Sequence, residues 1–275
     1  MGIYGVIGYP IAHSMSPLMH NWEFQALKLD HYYTAFNIHP DDLEKAIESV
    51  RLLQINGLNV TIPHKVKVMD YLDEIDEEAR LIGAVNTIIN RDGHLIGTNT
   101  DGEGYLRSLL PIVDSIRAKK VILIGAGGAA RAIATTLARR GVQTLDVANR
   151  TVEKAEALVK HINRFADGKA LALSDAEEQL GNYDIVINTT SVGMSPNVEE
   201  APIRLDHLKT GAVVSDLIYN PLKTKLLKEA EEKGAIIHNG VGMFVYQGAL
   251  AFQKWTGIEP NIERMMDTVI KKLGG

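Results

Sequence analysis

The run Lys120-Val121-Ile122-Leu123-Ile124 leading into Gly125-Ala126-Gly127-Gly128-Ala129-Ala130 constrains this chain more than any other stretch. A short apolar run closed by glycine predicts a buried strand. A helical segment follows to about Arg140 and is stopped by Gly141. The loop between them has the Gly-x-Gly-x-x-Ala spacing of a dinucleotide fingerprint. Gly125 makes the tight turn, Gly127 lets the backbone approach a pyrophosphate, and Ala130 is small enough for close helix–strand packing. A strand, a glycine loop and a helix in this order predict an α/β fold with a Rossmann-type unit.

The next strand, Thr144 to Ala148, ends in Asn149-Arg150-Thr151. A free ribose 2′-hydroxyl usually meets an aspartate or glutamate at this point. Here an amide, a guanidinium and a hydroxyl are offered instead, and Arg150 can clamp a phosphate. This favours NADP over NAD. Asp146 lies mid-strand, where it should miss the ribose. Further strands are predicted at 184–188, 211–216 and 235–238, with a helix over 220–233. The polar exit Thr189 to Ser195 can line a cofactor site. A last helix is predicted from Phe244 to Trp255 and carries Gln247, which is either a surface residue or a reader of hydroxyls.

The first hundred residues also alternate strand and helix, so their strands should be mostly parallel, with ligand groups at their C-terminal ends. In Gly57-Leu58-Asn59-Val60-Thr61-Ile62, a period of two places Leu58, Val60 and Ile62 on one face and Asn59 and Thr61 on the other. Pro63 ends this strand, and Lys65 follows at the mouth of a helix. Residues 85–89 and 95–98 read as a hairpin turning at Arg91-Asp92-Gly93, which brings Asn86 close to Asp101. Asp101 then opens a helix. Near the N-terminus, Ser16-Pro17 is a good helix start. Ser14 and Ser16 form a small anion site beside that helix, or Ser16 merely caps it. The 111–120 segment reads as a transition between domains.

Composition narrows the function classes. The chain has 275 residues, no cysteine and a formal net charge of −5. That charge argues against nucleic acid as a partner. No run reaches the ~18–20 apolar residues that span a bilayer, and the N-terminus lacks a signal-peptide pattern. Without cysteine there is no disulfide, thiolate nucleophile or Cys-ligated zinc, and the histidines show no metal-binding spacing. The simplest expectation is a cytoplasmic protein with a small-molecule substrate and no bound metal.

Taken together, the motifs carry a resemblance. They are His13-Ser14-Met15-Ser16-Pro17 with His20 and Asn21, Asn59 to Lys65, Gly83-Ala84-Val85-Asn86-Thr87, Asn99 to Gly102, Gly125 to Ala129, Asn149-Arg150-Thr151, and Gly240 to Met243 followed by Gln247. Over nearly its whole length the chain resembles the shikimate dehydrogenase family, NADP-dependent oxidoreductases of aromatic amino-acid biosynthesis. The resemblance implies an N-terminal substrate domain (1–101), a Rossmann NADP domain (102–239) and C-terminal helices (240–275) returning to the first, with the active site in the cleft between the domains. It implies shikimate or 3-dehydroshikimate as substrate. Lys65 and Asp101 would be the proton-transfer pair, and either could act as the base. Ser14 and Ser16 would hold the substrate carboxylate. Asn59, Thr61, Asn86, Tyr219 and Gln247 would face its ring and hydroxyls. Cofactor contacts would come from Gly125, Ala126, Gly127, Gly128, Ala129, Asn149, Arg150, Thr151, Thr189, Leu217, Gly240 and Met243. Glu77 matches a position tied to cofactor binding in some members. Lys154 stands where some relatives have arginine, which keeps the charge but loses bidentate geometry.

Two other readings are compatible with the residues. A dual quinate/shikimate dehydrogenase using NAD or NADP would share most of them; relatives that accept quinate often carry threonine at the position of Ser16. A dinucleotide-binding regulator that had lost catalysis would be expected to lack Lys65 or Asp101, and both are present. The family contains monomers and homodimers.

Overall fold

A computed structural model describes residues 1–274. The chain divides into two compact units, residues 1–104 with 245–274 and residues 105–244. Both are α/β.

The first unit begins with β1 (Gly2–Gly8), α1 (Ser16–Ala26), β2 (His31–Asn37), α2 (Leu43–Leu52) and β3 (Gly57–Val60). It continues with β4 (Glu74–Ile75), α3 (Glu77–Ile82) and the hairpin of β5 (Thr87–Arg91) and β6 (His94–Thr98). Its sheet has the order β2-β1-β3-β5-β6-β4. β1 is parallel to β2 and β3, and β4 is parallel to β6. β5 runs against both neighbours, so the sheet is mostly but not wholly parallel. The hairpin turns at Asp92 and Gly93, both at positive φ, as a tight turn matched to strand twist requires. Ile7, Ile47, Leu58, Val60, Val85, Ile88 and Leu95 belong to a buried cluster of this unit. A second cluster gathers Tyr4, Phe24, Tyr33 and Phe252.

Helix α4 (Asp101–Val113) carries the chain out of the first unit and contains Pro111. The helix thus runs through the start of the segment read as a transition. Pro111 removes an N–H and restricts the residue before it, yet the helix holds for another two residues. The second unit then comprises β7 (Lys120–Ile124), α5 (Gly128–Arg139), β8 (Thr144–Ala148), α6 (Val152–Ile162), β9 (Ala170–Leu171), α7 (Leu173–Gln179), β10 (Ile185–Asn188), β11 (Val213–Asp216), α8 (Lys225–Glu232) and β12 (Ile236–His238). Its sheet is parallel throughout, in the order β12-β11-β10-β7-β8-β9. The first strand, β7, lies beside β10, where the winding reverses. In such sheets the ligand crevice lies outside the carboxyl ends of the strands at this switch point. Helix α9 (Val241–Thr256) carries the chain back to the first unit, which α10 (Ile262–Lys272) completes.

Several local expectations are corrected. β3 ends at Val60, and Ile62 is 66% exposed. Thr61 N–H still bonds Ile7 O at 2.9 Å, but His64 N–H then bonds Thr61 O and closes a turn that points Ile62 outward. Ser16 is not a cap: Met15 occupies that position and Ser16 is the first helical residue. Helix α8 begins at Lys225 rather than Asn220, because Thr224 caps it by accepting the Leu227 N–H. Helix α9 starts at Val241, ahead of Phe244. The two-residue strands β4 and β9 escaped the sequence pattern, being too short to show a period.

Candidate active site

In the first unit the strand ends bring Lys65, Asn86 and Asp101 together. Lys65 follows β3, Asn86 immediately precedes β5, and Asp101 opens α4 three residues after β6. Hairpin pairing of Thr87 with Thr98 sets the distance between Asn86 and Asp101. The Lys65 ammonium donates to Asp101 Oδ2, with side-chain exposures of 13% and 4%. Asn86 Nδ2 donates to Asp101 Oδ1 at 2.8 Å and to Thr100 Oγ1 at 2.8 Å. Asn86 Oδ1 accepts from the Thr100 N–H at 2.8 Å and from the Thr87 hydroxyl at 2.9 Å. Asp101 N–H is held by Asn99 Oδ1 at 3.0 Å. A buried charge is tolerable only when paired and hydrogen-bonded, and both Asp101 oxygens meet that condition.

Other groups frame this pair. Asn59 donates to Asn86 O and Thr87 Oγ1 at 3.3 and 3.2 Å, so both of its N–H groups are committed within the protein. Gln247 Oε1 lies 3.4 Å from Asn86 Nδ2, and its backbone carbonyl accepts the Thr100 hydroxyl at 3.0 Å. A Cβ on Gly104 would come within 2.7 Å of Gln247 N, so glycine is what allows α9 to approach α4 here. Thr61 is half-buried. Ser14 Oγ accepts the Ser16 N–H at 3.3 Å, so Ser14, not Ser16, serves the helix entrance. Ser16 is buried, Ser14 is half-buried, and Glu77 stands exposed in the first turn of α3.

The second unit holds the glycine loop. Gly125 has φ +111°, and a Cβ there would lie 2.5 Å from Thr189 Oγ1. Thr189 is fixed by its hydroxyl on Ile124 O at 2.8 Å. Gly127 is the N-cap of α5 and offers no side chain to the helix end. A Cβ on Gly127 would meet nothing within 4 Å. The loop therefore presents open space beside a helix terminus whose first N–H groups lack a capping side chain and whose first turn carries no acidic residue. A pyrophosphate fits that donor set. Ala126, Gly128 and Ala129 are half-buried around it, and Asn149, Arg150, Thr151 and Lys154 close the adjacent strand end, with Arg150, Thr151 and Lys154 exposed. Asn149 Nδ2 bonds Thr151 O at 2.8 Å. Asp146 is engaged elsewhere: its carboxylate takes the Tyr183 hydroxyl at 2.6 Å and the Lys169 N–H at 2.8 Å. Both of its carboxylate oxygens thus have partners within the protein.

Also in this unit, Leu217, Tyr219 and Gly240 lie close in space. A Cβ on Gly240 would approach Leu217 O to 2.1 Å, and Tyr219 packs on Phe244 with ring centroids 4.5 Å apart. Met243 is buried in the core cluster with Leu123 and Val147. Beneath these loops lies Asp216, whose Oδ1 takes Asn188 Nδ2 and the Ile218 N–H at 3.0 Å each and whose Oδ2 takes the Thr224 hydroxyl at 2.7 Å. Burial pushes this carboxyl up to about 6, against the three hydrogen bonds. Thr87, Thr100, Asn188 and Asp216 were not singled out in the sequence. Thr87 and Thr100 lie within or beside the motifs quoted, but their role depends on pairing that no spacing displays. Among the described residues, no group of three or more histidine, aspartate or glutamate side chains could hold a metal ion, and no helix is long and apolar enough to cross a membrane.

Comparison with known proteins identifies the family. Residues 6–88 match the family described as "Shikimate dehydrogenase substrate binding domain". Residues 109–204 match "Shikimate / quinate 5-dehydrogenase", and residues 240–270 match "Shikimate 5'-dehydrogenase C-terminal domain". The chain is 55% identical over 274 residues to a shikimate dehydrogenase (NADP(+)) of Bacillus anthracis, covering 99% of each. A crystal structure of a shikimate dehydrogenase in complex with NADP+ is 46% identical, with a TM-score of 0.93 and coverage of 99% of this chain and 96% of that one. The Thermus thermophilus shikimate 5-dehydrogenase, solved with NADP(H) and shikimate, is 33% identical with a TM-score of 0.90, covering 98% and 99%. The chain belongs to the shikimate dehydrogenase family.

Proposed function

We propose that this protein catalyses the reversible, NADP-dependent reduction of 3-dehydroshikimate to shikimate in aromatic amino-acid biosynthesis. The observation that carries the reading is the half-buried Lys65 ammonium on buried Asp101, steadied by Asn86. When bound, NADPH supplies the hydride. The protein must orient the ketone and handle one proton. The Lys65 ammonium can donate to the oxygen that becomes the alcohol, and its charge stabilises that oxygen as negative charge develops. Asp101 holds the lysine in place and can accept a hydrogen bond from the same hydroxyl. In the other direction the pair receives the alcohol proton.

The family resemblance supplies the supporting assignments. Ser14 and Ser16, beside the start of α1, offer hydroxyls for the substrate carboxylate. Thr61, four residues before Lys65, and Gln247, whose Oε1 lies 3.4 Å from Asn86 Nδ2, would face the ring hydroxyls. Asn86 holds that pair and Asn59 braces Asn86, and Tyr219 would be a further ring contact. The Gly125–Ala129 loop would take the pyrophosphate at the end of α5, and Asn149, Arg150, Thr151 and Lys154 the 2′-phosphate. Thr189, Leu217, Gly240 and Met243 would border the remainder of the cofactor, with Glu77 a further cofactor contact. The test measures kcat/KM for shikimate and quinate, each with NADP+ and NAD+. The highest value is expected for shikimate with NADP+; no turnover in any of the four combinations would overturn the reading.

A further inference from the structure

Tyr33 in β2 is fully buried, and its hydroxyl is 2.7 Å from Asn59 Oδ1. Its neighbours fix the direction of that bond. The other end of the Asn59 amide faces the Asn86 carbonyl oxygen, which can only accept, so that end is the nitrogen. Tyr33 must therefore donate to Asn59. Thr87 Oγ1 accepts from Asn59 and passes its own hydrogen to Asn86 Oδ1. The Thr100 N–H, a donor that cannot reverse, bonds the same oxygen. The Asn86 nitrogen is thereby turned toward Asp101. The donors run one way, from the Tyr33 phenol through Asn59, Thr87 and Asn86 to the carboxylate that holds Lys65. Every link is buried. In a dry site such bonds polarise one another, and a missing link leaves an acceptor without a partner.

Tyr33 is itself firmly placed. Its backbone exchanges two 2.8 Å hydrogen bonds with the Asn21 side chain, and its ring stacks on His20 at 4.4 Å. Burial raises its phenol well above the ordinary tyrosine value, against a hydrogen bond from the Ser16 side chain, which keeps the donor protonated.

We propose that Tyr33 is a positioning residue for the Lys65–Asp101 pair, acting through Asn59, Thr87 and Asn86. This rests on the reading of that pair as the proton-transfer groups. Tyr33→Phe should lower kcat about 10-fold, since a small misplacement of catalytic groups is enough. Thr87→Val interrupts the same chain further along, away from Ser16, and should lower kcat likewise with substrate KM nearly unchanged. The double variant should be no slower than the poorer single one, because both cut one chain. Reductive methylation of Lys65, followed by mass spectrometry, should be faster in Tyr33→Phe as Asp101 loosens its hold. Wild-type kcat, additive losses in the double variant, or unchanged Lys65 labelling would each overturn the proposal. An inactive wild-type protein would count against the functional reading alone, and the labelling would then decide on Tyr33.

Discussion

Asn86 Nδ2 lies 2.8 Å from Asp101 Oδ1, while the second oxygen of that carboxylate takes the Lys65 ammonium. One carboxylate thus joins an amide from the hairpin to a lysine from the end of β3. If Lys65 moves the proton, Lys65→Ala should lower kcat at least ~100-fold with little change in substrate KM. Steady-state kinetics that follow NADPH absorbance check this. Turnover near the wild-type rate would reject the proton role and leave the pair a structural ion pair.

The glycine loop separates a folding requirement from a binding one. Gly125 sits at φ +111° with Thr189 Oγ1 2.5 Å from where a Cβ would be, so Gly125→Ala should destabilise the protein itself. Gly127 has an extended backbone and open space around the missing Cβ. Gly127→Ala should fold with an unchanged Tm and bind NADP at least ~10-fold more weakly, because the methyl occupies the pyrophosphate's approach. Calorimetric titration and thermal melts measure the two quantities. A Gly127→Ala protein with full NADP affinity would show that the phosphates lie elsewhere.

Arg150 is exposed at the end of β8, on the loop where a 2′-phosphate would arrive. Arg150→Ala should raise the KM for NADP+ by about 10-fold or more and leave that for NAD+ nearly unchanged, as loss of a charge-assisted contact predicts. Equal increases for both cofactors would remove Arg150 from the 2′-phosphate site.

The glycine loop and the Lys65–Asp101 pair were legible in the sequence for different reasons. Gly125 to Ala130 obeys a local rule, since turn, approach and packing are all set within a few residues. Lys65 and Asp101 are 36 positions apart and became neighbours on paper only through the hairpin that carries Asn86. Ser16 misled because serine before proline suits an N-cap, yet the helix begins one residue earlier than that reading requires. Ile62 misled because a period of two was extended past the last paired residue, Val60. Tyr33, Thr87 and Thr100 carry no signal of their own. Their importance comes from tertiary hydrogen bonds whose direction depends on which neighbour can only accept or only donate.

His20 gives a prediction about acid stability. Its ring is fully buried between Tyr33, Phe24, Phe252 and Trp255, and neither ring nitrogen has a hydrogen-bond partner among the described residues. Burial pushes the imidazole down to about 3 from an ordinary 6.5. The unfolded chain therefore takes up this proton first as pH falls. Stability from keeping His20 neutral is full above about pH 6.5 and is lost toward pH 3 at about 1.4 kcal/mol per pH unit. Asp216 acts in the opposite sense between roughly pH 4 and 6, since its folded value is raised. It is unchanged in a comparison of His20→Leu with the wild type, so its contribution cancels. Urea unfolding across this range should give a shallower loss of stability for His20→Leu, by about 1.4 kcal/mol per pH unit, whatever its stability at neutral pH. Equal slopes for the two proteins would mean that the His20 imidazole is protonated in the folded state, with a partner for its charge.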